Sequence, residues 1–354
     1  MTLSPGRARN AAVDVTKTVA ILGTLMIHAS AAGGFNDTVG TFNWTGNLFW
    51  SCLLRCAVPL FLMCSGALFL PPEKELTTGR IWKKYIVRIA VALAVWSLFY
   101  VGWNLLLDWR HGGALTGEAL RAGLLDWLCF RHKYHLYYLV IMVAVYALLP
   151  VTRLLAERAD RGLLRYVMGV WLVTGSLLPF LFTQPPLSYV EGFPRQYALS
   201  FTWSALGLGL AGHLITRSRE KLSVRFYGML YLIGFVITFA GTFLLSWKQG
   251  WLCQDLIQGS APGVTLQAVG IYGACDALCR GRGRIPWAET VSKASFCIFL
   301  IHPVFLDLLI AWGFHAGAHL PLWIVPVEVA ILFCAGFLSW LVLRRIPVVN
   351  RYLI

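Results

Sequence analysis

Charge is scarce in this chain. Of its 354 residues only 13% are Asp, Glu, Lys or Arg, about half the share common in soluble domains. Acidic groups are scarcer still: 16 Asp and Glu stand against 30 Lys and Arg, for a net charge of +14. A soluble fold of this size needs a largely polar covering. With 58% hydrophobic residues and a mean hydropathy of +0.67, the chain cannot supply one. Metal-binding spacing is also missing, since the nine cysteines include no CxxC pair and no zinc pattern. Cys52, Cys56, Cys64, Cys275, Cys297 and Cys334 fall in apolar segments and read as small packing residues. Cys129 and Cys253 fall in loops, which leaves a disulfide between them open. No internal repeat or low-complexity tract is evident, and neither is the inverted repeat of many transporters.

What is present is a series of apolar blocks of about twenty residues, the length that crosses a ~30 Å hydrocarbon core as a helix. Ten can be read, at 11–32, 46–70, 82–107, 134–156, 163–182, 196–215, 224–247, 261–279, 292–312 and 321–343, separated by breakers such as Pro71-Pro72, Pro185-Pro186, Pro286 and Pro321. The expectation is an all-α fold, a polytopic membrane helix bundle of about ten transmembrane helices, with 1–354 forming a single integral membrane domain. Alternating the segments puts 22 of the 30 basic residues on one side and 6 on the other, with Lys17 and Arg55 inside spans. By the positive-inside rule both termini are then cytoplasmic. The basic excess is thus a topology label that also favours anionic headgroups, and no nucleic-acid motif accompanies it. The basic start, the apolar run 18–27 and Ala29-Ser30-Ala31-Ala32 resemble a signal peptide with a cleavage site. Asp14 and Lys17 at the edge of that run favour a retained segment.

In so apolar a chain, ionisable residues inside spans are functional candidates by default. Lys17 and His28 are eleven residues apart, close to three helical turns, so they share a face about 16 Å apart along the axis. Asp14, one turn before Lys17, can pair with it. Arg55 lies about 15 Å into the second segment, too deep to snorkel easily, and must meet an anion, a carbonyl or water. Pro59 loosens the backbone after it, and Ser65-Gly66 offers a small patch for close helix approach. Tyr134-His135-Leu136-Tyr137-Tyr138 opens the fourth segment, where the tyrosines read as an interfacial belt and His135 is ambiguous. His302, beside Pro303, lies about 15 Å deep in the ninth segment and should face a polar interior. His315 and His319 have helical metal-ligand spacing but no third ligand nearby. His213, Asp276, Asp307 and Glu328 rank second. Imidazoles exchange protons near neutral pH, and fixed cations suit an anionic ligand or a developing oxyanion.

These residues sit in four stretches that resemble the acyltransferase-3 family of integral membrane acyltransferases. They are Asp14-Val15-Thr16-Lys17 followed by ten residues and His28; Arg55-Cys56-Ala57-Val58-Pro59-Leu60-Phe61-Leu62-Met63-Cys64-Ser65-Gly66; Tyr134-His135-Leu136-Tyr137-Tyr138 leading to Leu149-Pro150; and Ile298-Phe299-Leu300-Ile301-His302-Pro303. The pattern is similar to the WecH-like branch, which O-acetylates surface polysaccharide such as enterobacterial common antigen. The resemblance implies a multi-pass enzyme of the bacterial inner membrane that moves an acetyl group from cytosolic acetyl-CoA, a co-substrate, to a hydroxyl of an envelope glycan or lipid-linked saccharide. No cofactor or metal is implied. His28 matches the catalytic histidine, and Arg55 is expected to stabilise the thioester oxyanion or grip donor phosphates. Lys17 with Asp14 would line the donor entry, and His135, His302 and Tyr138 would bind the acceptor. The family usually carries Arg where this chain has Lys17, which keeps the charge but loses the bidentate fork. A secondary transporter or lipid-linked sugar flippase could use the same histidines and arginine as a proton relay and anion site, but leaves the Arg55–Gly66 segment unexplained. A membrane sensor domain would need no catalytic proton acceptor.

Overall fold

The computed structural model describes residues 10–129, 133–184, 186, 201–218 and 222–354, with 201–203 as backbone alone. The start of the sixth expected segment (196–200), Pro185 and the basic residues Arg7, Arg9, Arg131, Arg195, Arg219 and Lys221 lie outside the described residues. Among those described there are helices and no strand. In chain order they are α1 (Ala11–Ala31), α2 (Phe42–Leu53), α3 (Ala57–Phe69), α4 (Thr78–Arg110), α5 (Gly117–Leu128), α6 (Tyr137–Ala147), α7 (Leu149–Arg158), α8 (Arg161–Leu181), α9 (Phe201–Arg217), α10 (Val224–Gln249), α11 (Pro262–Leu278), α12 (Pro286–Ala311), α13 (Pro321–Leu343) and α14 (Pro347–Tyr352).

The chain is a polytopic helical membrane protein. Seven units are long and apolar enough to cross a bilayer: α1, Phe42–Phe69, α4, α8, α10, α12 and α13. The run Tyr134–Ala147 with α7, bent by 53°, makes up to eight. The described part of each of the ten expected segments lies largely on helix, but α11 has 17 residues. At 1.5 Å per residue it reaches about 25 Å, short of a ~30 Å core.

Among the described residues, proline explains the one sharp bend between paired helices. Pro150 lacks an N–H and crowds the residue before it, and the bend between α6 and α7 falls there. Pro262 sits in the first turn of α11, where a missing N–H costs nothing. The second unit is interrupted by a turn at 54–56, and α5, a short amphipathic helix leaning on α4, lies outside every expected segment.

The central element is α1, which packs against α2, α3, α11, α12 and α13. Its start meets the end of α3, where the Cys64 Sγ donates to the Val13 carbonyl at 3.8 Å. Its far end meets the α12–α13 loop, where the Gly317 N–H donates to the Ala32 carbonyl at 3.1 Å. Arg88 of α4 donates to the carbonyl of Ile354 and lines one cavity with Lys17, so the start of α1 and the last residue lie at the same end of the bundle.

Glycine lets α3 and α9 touch backbone to backbone. A Cβ on Gly66 would sit 1.7 Å from the Gly209 carbonyl oxygen, and one on Gly212 would sit 2.3 Å from that of Met63. Gly66→Ala should therefore force the helices apart and cost at least the ~1–3 kcal/mol of an overpacked core. A lowered melting midpoint in detergent checks this, against Gly79→Ala, which meets nothing within 4 Å and should melt unchanged.

Candidate active site

Three histidines from three segments meet beside α1. His28 of α1 stacks on His302 of α12 with ring centroids 5.1 Å apart and planes at 24°. His135 lies edge-on to His302 at 5.4 Å, and Tyr134 covers His28 at 4.7 Å. His28 is half-buried, whereas His135 and His302 are 1% and 0% exposed. Tyr100 of α4 packs against His135 at 5.2 Å and donates its hydroxyl to the Leu300 carbonyl at 2.7 Å.

Proline organises this cluster chemically. Pro303 has no N–H to give the carbonyl four residues back, which is that of Phe299. An orphan carbonyl in apolar surroundings is costly. The His302 Nδ1 takes the place of the missing donor, 2.8 Å from that oxygen. Because a carbonyl only accepts, Nδ1 carries the proton and the neutral ring presents an Nε2 lone pair. That Nε2 and both ring nitrogens of His135 are buried without a hydrogen-bond partner among the described residues. The His302-Pro303 pair thus yields a base of fixed tautomer.

Arg55 sits in the turn between α2 and α3. Its Nε donates to the Ile257 carbonyl at 2.7 Å and its Nη1 to the Ser51 hydroxyl at 3.2 Å. Side chains from elsewhere reach the backbone here: Tyr231 donates to the Leu53 carbonyl at 3.0 Å, and Gln267 donates at 3.2 Å to the Cys52 carbonyl, which also accepts the Arg55 N–H at 3.3 Å. Gly23 of α1 closes on the same turn, since a Cβ there would lie 2.8 Å from that of Leu54. Arg55 and His302 are both within electrostatic reach of His28.

Lys17 and Tyr138 lie elsewhere. Both line a cavity of about 270 Å³ with Phe61, Arg88, Phe296 and Phe299, on the side of the histidines towards the start of α1. Tyr138, expected beside the acceptor, packs on Phe299 at 5.4 Å, and Phe299 packs in turn on His135 at 5.4 Å. Those two rings form the wall between the Lys17 cavity and the histidines. Asp14 is buried at the base of α1, within charge range of Cys64, as is Lys17. A second, basic cavity of about 620 Å³, lined by Arg80, Lys83, Lys84, Arg88 and Arg351, shares Tyr85 and Arg88 with the first.

An acyltransferase domain model matches residues 10–345. The chain belongs to the acyltransferase-3 family. No curated protein and no solved structure matches it. The family supports a membrane acyltransferase, and the candidate site contains groups that sequence patterning did not single out. Tyr134 read as belt, although its adjacency to His135 was a signal. Gln267, an amide inside an apolar segment, was legible as a buried hydrogen bonder. Tyr100 and Phe299 carried no signal, because aromatics are common in membrane helices. Among the second-rank residues, Asp307 accepts from Lys133 at 2.8 Å and from the Trp103 indole at 3.0 Å. Glu328 is fully buried on α13, with neither carboxylate oxygen hydrogen-bonded among the described residues. His315 Nδ1 lies 3.1 Å from both the Ala32 carbonyl oxygen and the Gly317 nitrogen. Cys129 and Cys253 are both free thiols. Among the described residues no group of three His, Cys, Asp or Glu is placed to hold a metal.

Two expectations follow from this geometry. Pro303→Ala restores an N–H to the Phe299 carbonyl and releases His302 Nδ1. Acyl transfer should fall at least ~10-fold, in the range of a mispositioned acid–base group, with no loss of melting temperature. Arg55→Lys keeps a charge but cannot hold the Ile257 carbonyl and Ser51 in one planar fork. A loss of about 10²–10³ in turnover is expected, read by acyl transfer in membranes holding equal amounts of protein.

Proposed function

We propose that this chain is an O-acetyltransferase of the bacterial inner membrane, with both termini cytoplasmic. It moves acetyl from cytosolic acetyl-CoA to a hydroxyl of an envelope polysaccharide or lipid-linked sugar, as in the WecH-like branch. The observation that carries this reading is the layout around Phe299: a cation-lined cavity on one side of that ring and three clustered histidines on the other. A CoA ester matches the first part. Its phosphates suit Arg80, Lys83, Lys84, Arg88 and Arg351, and its uncharged arm suits the aromatic cavity that Lys17 and Tyr138 line. On this reading Tyr138 serves the donor arm, while His135 and His302 face the acceptor.

In the reaction, His28 withdraws the proton of the acceptor hydroxyl as its oxygen attacks the thioester carbonyl. A C–O bond forms, the C–S bond breaks, and the CoA sulfur leaves with the proton returned by His28. Arg55 offsets the negative charge that develops on the carbonyl oxygen. His302, stacked on His28 and held in one tautomer, keeps that ring aligned. If the acetyl group rests first on His28, the C–S bond breaks as an N–C bond forms to the ring, that N–C bond then breaks as the acceptor oxygen forms the ester, and the hydroxyl proton ends on the CoA thiolate. Membership of an acyltransferase family favours this reading over a transporter, which has no use for a thioester.

His28→Ala should abolish transfer, a loss of at least ~10²-fold, yet keep the thermal stabilisation that CoA gives purified protein. Lys17→Ala should do the reverse in emphasis, raising the CoA concentration for half-maximal stabilisation about tenfold, the ~1.4 kcal/mol of one charged contact. Wild-type protein indifferent to CoA, or a folded His28→Ala protein that acetylates normally, would sink the proposal.

A further inference from the structure

The mechanism leaves unused a knot of polar side chains beside the histidines. Asp307 of α12 accepts, on one carboxylate oxygen, from the Lys133 ammonium at 2.8 Å and from the Trp103 indole of α4 at 3.0 Å. The same ammonium lies 3.5 Å from the Asn104 amide oxygen. The side chains of Lys133 and Asp307 are only 15% and 17% exposed. A pair so shielded from water attracts more strongly than one on the surface, and removing either partner strands the charge of the other.

Each member of the knot leads to the histidine cluster. Lys133 stands two residues before His135, and its carbonyl accepts the Leu136 N–H at 2.9 Å, which closes the turn Tyr134–Leu136. Asp307 follows His302 by five residues on α12, about 7.5 Å along the axis. Trp103 lies three residues past Tyr100 on α4, so the two share a face. Tyr100 in turn packs on His135 and bonds to the Leu300 carbonyl. Asp307 is also within charge range of Tyr100 and of Tyr134, the ring that covers His28. One carboxylate oxygen thus ties together α4, α12 and the turn that carries His135.

That turn is the element most in need of a tie. A three-residue 3₁₀ turn has few hydrogen bonds of its own, and they are poorly aligned. His135 is 1% exposed, with neither ring nitrogen hydrogen-bonded among the described residues. Its place is set by packing on Tyr100, Phe299 and His302, whereas a charge-assisted hydrogen bond adds a direction and a fixed length. We propose that Asp307 is a positioning residue for acyl transfer: by holding Lys133 it fixes the turn that presents His135 and Tyr134 to His302 and His28. The effect on transfer rests on the acetyltransferase reading, but the tie itself does not.

Two measurements on the full chain separate the tie from the reaction. In the first, folded protein is treated with diethyl pyrocarbonate, and carbethoxylation of His135 is read by mass spectrometry against exposed His111. Wild type should protect His135. Asp307→Ala and, separately, Lys133→Met should raise its labelling several-fold, and Asp307→Glu, which keeps a carboxylate for both donors, should restore protection. In the second, native membrane vesicles receive radiolabelled acetyl-CoA, and label in glycan is counted per amount of protein. Asp307→Ala and Lys133→Met should lose at least about tenfold in turnover, as for a mispositioned acid–base group. The CoA concentration for half-maximal thermal stabilisation should stay at its wild-type value, and Asp307→Glu should recover most of the rate. His135 still protected in both variants, or normal turnover in either, overturns the proposal and leaves the acetyltransferase reading standing. Failure of both variants to fold marks the pair as support for the fold alone and overturns it too. A wild-type protein that labels no glycan sinks the acetyltransferase reading, while His135 exposed by either variant and protected again by Asp307→Glu still upholds the tie.

Discussion

A backbone carbonyl that has lost its donor inside an apolar slab is the constraint from which this site grows. Water cannot reach it, and leaving it bare costs several kcal/mol. Pro303 creates one such carbonyl at Phe299, and a histidine ring answers it. The interruption at 54–56 frees another at Leu53, and Tyr231 answers it, while Gln267 adds a second donor to the Cys52 carbonyl. Arg55, seated in the same interruption, secures the Ile257 carbonyl. The need to satisfy broken backbone thus fixes His302 and Arg55 in place, and rigid placement is what a catalytic constellation requires.

The second organising fact is where the charges sit along the bundle. Five cations line the cavity near the start of α1, whereas Lys133, on the far side of the histidines, is already bonded to Asp307. Between them stand Tyr138 and Phe299, then the histidines.

Much of this was legible from the amino-acid order. Hydropathy alone located the helical segments, because each must carry about twenty apolar residues wherever it packs. The buried ionisable residues stood out for the same reason, and the eleven-residue spacing of Lys17 and His28 placed them on one face of α1. Other features were hidden. The amphipathic α5 was too short and too polar to register as a span. The break in the second unit is met by Tyr231, Ile257 and Gln267, and those residues are 178, 202 and 215 positions from their partners in it. Tyr138 shared a motif with His135 yet lines the Lys17 cavity, because it sits about one turn further along the chain, on the other side of the Phe299 ring from the cluster.

The sequence by itself determined that this is a helical membrane protein with a few costly ionisable groups, since hydrophobic length and the price of burying charge are local properties. Only the tertiary structure decided which of those groups meet. Stacking His28 on His302, standing His135 against Tyr100 and setting Phe299 between cavity and cluster depend on helix rotations and crossing points. Those are fixed by glycine contacts and by the partners of orphaned carbonyls, and each joins residues far apart in the chain.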